Sequence, residues 1–287
     1  MSSLYIYGVV SGDRPLTFGV PGLAGGLRII SEGSVAAIAG KAPDCDLRGL
    51  PREQAVNFLL QHQQVLEEAM AQTTVLPVKF GALAPGEDAV RRMLVQGKEL
   101  LSAQIEEFTD HLQMEIAVLW RLDQVFAEIA TERDIADLRE KALASEGEEG
   151  SVRLEQAVKA ALERRRGALS DEVCDVLGTV ATGMATGPRP DDQVAANVAL
   201  LLNKTDMGSL EGMLNRLHAE MAGEVKFRAT GPLPPASFAT VEITFPPSGN
   251  IDWLVDASAA ADMVMINIVR QQMQRSPYGA MGQESVA

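Results

Sequence analysis

The sequence predicts an α+β protein of two domains, and three observations carry that prediction. Its 287 residues exceed what one core ordinarily organises, since domains cluster near roughly 100–150 residues. Short apolar runs bounded by glycine and proline are mixed with segments of 3–4-residue apolar spacing, so strands and helices share each half of the chain. A long stretch of helical spacing, broken once by a glycine–glutamate tract, marks the second half.

The first domain is placed at 1–112. Leu4 to Val10 is a short apolar run closed by Ser11-Gly12-Asp13-Arg14-Pro15, which reads as a buried strand. Leu27–Ser31 and Val35–Gly40 flank Glu32-Gly33 and read as a hairpin. Pro51 opens a helix, because Ala55, Phe58, Leu59, His62, Leu66 and Met70 repeat along one stripe. Thr73–Phe80 is apolar and β-branched, a strand closed by Gly81. A second helix starts at Pro85-Gly86, where Glu87 and Asp88 suit its positive end.

The second domain is placed at 113–250. Met114–Trp120 reads as a strand leading into a long antiparallel helical hairpin, about 121–184. Leu122–Leu143 and Val152–Val180 are its arms, with an exposed acidic tip over Ser145–Ser151. Val194–Asn203, Met207–Met221 and Val225–Thr230 follow as strand, helix and strand, and Phe238–Phe245 as a further strand. An alanine- and methionine-rich helix is expected over Ile251–Arg275, making 251–287 a C-terminal helical tail that frays after Ser276.

Composition narrows the function classes. With 39 acidic against 25 basic side chains the net charge is −14, so no nucleic-acid partner is expected; phosphate backbones are bound by Lys and Arg. Hydrophobic residues make up 46% and charged residues 22%, the balance of a folded soluble chain. Cys45 and Cys174 are too few for a disulfide framework or a cysteine zinc site. Met1–Gly8 lacks the basic start and cleavage pattern of a signal peptide, and Asp252, Asp256 and Asp262 interrupt the most apolar late stretch. A cytoplasmic protein with no membrane span is expected.

The search for chemistry returns no catalytic, cofactor-binding or metal site. The glycines of Gly19–Gly26 precede a hairpin rather than a helix, so they are read as a flexible connector and not a phosphate loop. His62, His111 and His218 have no metal-ligand spacing, and His62 sits on the apolar face of its helix. Arg164, Arg165 and Arg166 fan around a helix: they either pair with glutamates or offer a docking point to an acidic partner. Met263, Met265 and Met273 either pack in a core or present an adaptable apolar surface to a partner.

Three motifs together carry a resemblance. They are Tyr5-Ile6-Tyr7-Gly8-Val9-Val10, then His62–Glu67 running on to Leu76-Pro77-Val78-Lys79-Phe80-Gly81, and Gly231-Pro232-Leu233-Pro234-Pro235-Ala236-Ser237-Phe238. In this order and spacing the chain resembles the gas vesicle protein L/F family (GvpL/GvpF) over about residues 4–245. Leu233 stands where that family has Trp, Ala236 where it has Tyr, and Lys79 where it has Arg; the stretch from Ile251 to Ala287 has no counterpart. The resemblance implies two small α+β domains with ferredoxin-like features. It also implies a cytosolic, gas vesicle-associated assembly factor that contacts the hydrophobic shell subunit and other accessory vesicle proteins. Tyr5, Tyr7, Gly8, His62, Leu76, Pro77, Phe80, Gly81, Gly231, Pro232, Pro234, Pro235 and Phe238 are then structural or interface residues, no cofactor is called for, and the protein is not an enzyme. The physical reading adds a mechanism, in which an apolar strip or sheet edge engages the subunit while the acidic surface keeps the pair dispersed. Rival readings are a minor structural component of the vesicle wall, a scaffold acting through the helical hairpin, and an enzyme with His62 and Glu68 as acid and base.

Overall fold

Leu4–Ser11 forms β1, the strand around which the first of two units is built. The structure, a computed structural model, describes residues 3–144, 148–221, 224–245 and 264–269. β1 is buried from Leu4 to Val10, so both its faces are covered. β2 (Leu27–Glu32) and β3 (Val35–Lys41) form the expected hairpin, turned by Gly33 at φ 62°. β1 pairs antiparallel with β3 on one side and, on the other, with β4 (Val75–Pro77) and the two-residue β5 (Leu83–Ala84). The sheet order is β2-β3-β1-β4.

Two helices cover this sheet. α1 (Arg52–Met70) puts Val65, Leu66 and Ala69 into one cluster with Tyr5, Tyr7, Val10, Ala36 and Ile38. α2 (Glu87–Glu107) packs on β1, β2 and β3 and contributes nothing to that cluster, so it lies on the opposite face. Its buried stripe is Val90, Met93, Leu94, Leu101 and Ile105, spaced as one helix face requires.

The second unit contains the described residues of 114–231. Its sheet is ordered β7-β8-β6-β9, from β6 (His111–Trp120), β7 (Gly183–Thr186), β8 (Val194–Asn203) and β9 (Val225–Leu233). Helices α3 (Leu122–Ile129), α4 (Arg133–Ala144) and α5 (Glu148–Leu177) separate β6 from β7, and α6 (Met207–Glu220) separates β8 from β9. The chain thus runs β-α-β-β-α-β, with helices grouped in its connections. α5 packs against α3, α4, α6 and β8.

Several expectations are corrected. The stretch Leu122–Leu143 is two helices, because the chain breaks at Ala130–Glu132, where Thr131 Oγ1 donates to the Glu128 carbonyl. Part of the expected acidic tip, from Glu148 on, is helix. β5 and β7 were too short to show in the pattern. The Gly19–Gly26 connector is a built turn: Gly22 and Gly25 exchange backbone hydrogen bonds of 2.7 and 3.2 Å. The expected helix over 251–275 is overturned at 265–269, where β11 (Met265–Val269) pairs antiparallel with β10 (Thr240–Thr244). Met265-Ile266-Asn267-Ile268-Val269 alternates at period two and is β-branched at three of five places, which favours a strand over so short a run. Both strands belong to the first unit, so the described end of the chain returns there and is not a separate tail. Met263 and Met273 lie outside the described residues.

Candidate functional site

The motif residues meet in the first unit, around β1. Its pairing with β3 shifts register between Ile6 and Gly8, a β-bulge. Tyr5 and Tyr7 point toward α1. After the bulge Gly8 and Val10 face the same way, since a Cβ on Gly8 would lie 2.9 Å from both Leu66 Cδ2 and Val75 Cγ2. Only hydrogen fits there, which explains glycine directly after two tyrosines. Tyr5, Tyr7, His62 and Phe80 form an aromatic group with centroids 4.7–6.0 Å apart, the His62 ring stacked on Tyr7 and edge-on to Tyr5 and Phe80.

Hydrogen bonds fix this group. The Tyr5 hydroxyl accepts from Gly81 N–H at 3.1 Å and shares a hydrogen bond of 2.9 Å with His62 Nδ1. Burial holds His62 down at about 4, so its imidazole is neutral at pH 7, against a weaker upward pull from a hydrogen bond to the Val78 backbone. Burial likewise pushes the Tyr5 and Tyr7 hydroxyls up. Tyr7 Oη accepts from Leu23 N–H at 2.6 Å, tying the glycine-rich turn to the core. Glu68 accepts from Gly19 and Val20 N–H, and Gln61 donates to the Pro21 and Gly22 carbonyls. Gly81 adopts φ 93°, a conformation costly for any residue with a side chain.

The second and third motifs are stitched together. Leu76 and Pro77 pair with Val9 and Gly8, and Val78 N–H donates to the Tyr7 carbonyl. Alternation aims the Pro77 nitrogen away from β1, where no donor is needed. Lys79 N–H donates to the Val241 carbonyl, Val78 and Val241 form a parallel bridge, and the Lys79 ammonium pairs with Glu242. Upstream, Gly231 turns at φ 142°, Pro232 is exposed, and Pro234, Pro235 and Phe238 are buried. The Pro235 carbonyl accepts from Phe238 and Ala239 N–H, and the buried Gln113 side chain accepts from Ser237 N–H at 2.9 Å. The proline segment therefore delivers β10 to the end of β4.

β11 continues that extension. Ile266 packs on α2, where a Cβ at Gly97 would overlap its Cδ1, and Val264 N–H bonds Gln96 Oε1 at 3.0 Å. Met265, Asn267 and Val269 are exposed. Among the described residues β10 is the sole strand partner of β11.

The arginine run lies in the second unit and its charges are taken up internally. Arg164 pairs with Glu132 at 3.2 Å, and Arg165 with Glu132 and Glu128. Arg166 is buried: it donates to Glu163 at 2.6 Å and to Asp192 Oδ1 at 2.7 Å, with its guanidinium 5.4 Å above the Trp120 ring. Trp120 Nε1 donates to the Asp192 carbonyl at 2.8 Å. The arginines brace α5 against α3 and the β7–β8 connection, and the docking-point expectation for Arg166 falls with its burial.

His62 and Glu68 are not brought together as an acid–base pair, since each is committed to the separate partners above. His111 bonds the Thr109 carbonyl, and His218 is exposed on α6. Among the described residues no three His, Cys, Asp or Glu side chains gather to hold a metal ion, and no helix is long and apolar enough to cross a membrane. Sequence reasoning missed Gln61, Gln113 and Val241, and gave Glu68 an acid–base role rather than its bonds to the Gly19 and Val20 backbone; these roles depend on distant backbone and leave no local pattern.

Comparison with known proteins agrees with this arrangement. A family model described as gas vesicle synthesis protein GvpL/GvpF matches residues 3–240. Gas vesicle protein F of Streptomyces sp. (strain CB03234) is 27% identical over 246 residues, covering 82% of this chain and 99% of that protein. The crystal structure of GvpF from Anabaena sp. PCC7120 superposes with a TM-score of 0.69 at 18% identity, over 82% of this chain and 97% of that one. GvpF from Microcystis aeruginosa gives 0.67 at 16% identity, over 82% and 98%. At such identities the two crystal structures speak to the fold.

Proposed function

The chain belongs to the gas vesicle synthesis protein GvpL/GvpF family, and from that premise we propose that it binds the hydrophobic shell subunit and other vesicle proteins, assisting assembly and limiting aggregation. A role in gas vesicle formation follows from the family itself. The observation that carries the finer reading is β11. It presents Met265 and Val269 outward, and its second edge has no strand partner among the described residues. Such an edge accepts a further strand through backbone hydrogen bonds, while flexible methionine adapts to apolar neighbours. The net charge of −14 keeps a loaded complex dispersed by repulsion. No catalytic step is assigned: His62 is held neutral in a sealed aromatic group, which suits a structural role. The protein acts in the cytoplasm at the vesicle, and the β-α-β-β-α-β connectivity of its second unit is read as ferredoxin-like.

The test is co-expression with the shell subunit, followed by centrifugation and measurement of the subunit left in solution. The wild-type chain should raise that fraction several-fold, and a folded Met265→Glu/Val269→Lys variant should not. Equal precipitation with and without the protein, or full protection by the variant, refutes the reading.

A further inference from the structure

The second unit holds a cavity of about 390 Å³ where α3, α5, the end of α6 and the start of β9 meet. Its apolar surface comes from Trp120, Val125, Leu169, Met221 and Val225. Its charges do not balance. Of its two arginines, Arg165 is committed to Glu128 and Glu132, and Arg121 to Asp123 at 3.6 Å. Glu172, Glu220 and Glu224 also line it, and among the described residues none of the three has a cationic partner. Two of these carboxylates stand where helix stability disfavours them. α6 ends at Glu220, Met221 caps it, and Glu224 follows. The carbonyl end of a helix is partially negative and favours Lys or Arg, yet the last turn of α6 offers only His218. α5 has no basic residue in its last turn, and no Lys or Arg occurs between Gly167 and Pro188. A departure from a local rule, repeated on two helices around one cavity, is expected where a ligand supplies the missing charge.

We propose that this cavity binds a free aliphatic polyamine, its ammonium groups on Glu172, Glu220 and Glu224 and its methylene chain on the apolar surface. Three features select this class. Carboxylates from α5, from α6 and from the connection to β9 call for more than one positive centre, each held by charge-assisted hydrogen bonds. The apolar side chains beside them favour methylene groups, which a hydrated metal ion lacks; magnesium in particular gives up its water reluctantly. The volume lies in the range that encloses a whole small ligand, whereas one lysine side chain of a partner protein would leave most of it to water. An anion would meet three uncompensated negative charges and is excluded. Binding relieves the repulsion at the end of α6 and stabilises the folded second unit in proportion to occupancy. The site lies on different elements from β11 and does not rest on the shell-subunit reading.

The probe is spermidine, titrated calorimetrically into the full-length protein at about 0.15 M salt, which screens the diffuse attraction of a −14 surface. Saturable one-to-one binding is expected, with a shift of the Trp120 indole N–H resonance that places the ligand in the cavity. Glu220→Gln/Glu224→Gln should weaken binding at least about tenfold. The α2 pair Glu99→Gln/Glu106→Gln makes the same change of charge on the other unit and should bind as wild type. Circular dichroism confirms that the variants fold. Absence of wild-type binding, equal binding by the Glu220→Gln/Glu224→Gln variant, or displacement of spermidine by equimolar magnesium chloride overturns the proposal. So does tighter binding of a capped Gly-Lys-Gly-Lys-Gly peptide, because the ammonium groups would then come from a partner protein. The Met265→Glu/Val269→Lys variant should bind spermidine normally, so failure of the shell-subunit reading leaves this test intact.

Discussion

Lowering the pH should destabilise the first unit through His62 by an amount that the structure sets. Burial holds its imidazole at about 4, against 6.5 for a free histidine. Between those values the unfolded chain binds a proton that the folded chain refuses, so stability falls as pH falls. The contribution is fully present above about pH 6.5 and fully lost near pH 4, where it reaches about 3 kcal/mol. At pH 5 the same linkage gives about 2 kcal/mol. Carboxylates titrate in this range too, so the measurement is a double difference: denaturant unfolding of wild type and His62→Gln at pH 7.5 and 5.0. Amide exchange at Val9 and Val10 reports the first unit separately. Gln at position 62 lowers stability at both pH values but removes the imidazole's proton, so wild type should lose about 2 kcal/mol more than the variant on acidification. A double difference near zero, or an imidazole NMR titration of His62 close to 6.5, refutes the reasoning.

Other predictions follow from single contacts. Gly8→Ala should cost about 1–3 kcal/mol in unfolding free energy, because its methyl would press on Leu66 and Val75 in a filled core. Gly81→Ala should cost about 1–2 kcal/mol from its φ alone, with the Tyr5 hydrogen bond still available in principle. Arg166→Met should lower the stability of the second unit by about 2 kcal/mol, through lost stacking on Trp120 and lost bonds to Asp192, while exposed Arg164→Ala should change it by less than about 1 kcal/mol. A thermal melt of each variant separates the two arginines; equal losses would refute the brace.

Much of the first unit was legible because its signals are local. Glu32-Gly33 between two apolar runs specifies a hairpin, and the stripe from Phe58 to Met70 specifies a helix whatever lies beneath it. What stayed hidden depended on partners far away in sequence. β5 is a strand only because β1 offers Leu4 and Tyr5 to pair with. The Gly19–Gly26 turn is ordered only because Tyr7, Gln61 and Glu68 bond its backbone. At β11, methionine and isoleucine at short spacing satisfy both the helix and the strand period, and Val241 and Gly97 decide for the strand. The Arg164–Arg166 run shows the same limit: glutamate pairing is one of two readings the sequence leaves open, and the chosen partners, Glu128, Glu132, Glu163 and Asp192, lie on four different elements or loops.

Most of the motif residues that carry the family resemblance are buried. Tyr5, Tyr7, His62, Leu76, Pro77, Pro234, Pro235 and Phe238 are all buried, and their polar atoms bond one another or the backbone. A buried tyrosine bonded to a buried histidine cannot greet a partner without breaking the core, at a cost above what a releasable contact returns. On the reading proposed above, binding uses side chains outside the buried motif residues. One exposed apolar set that meets that condition is Met265 and Val269 on β11, which has a free strand edge among the described residues. The motifs tie this strand pair to β4 through the Val78–Val241 bridge and the Lys79–Val241 hydrogen bond, so substituting Met265 and Val269 should remove the contact while leaving the motif core folded.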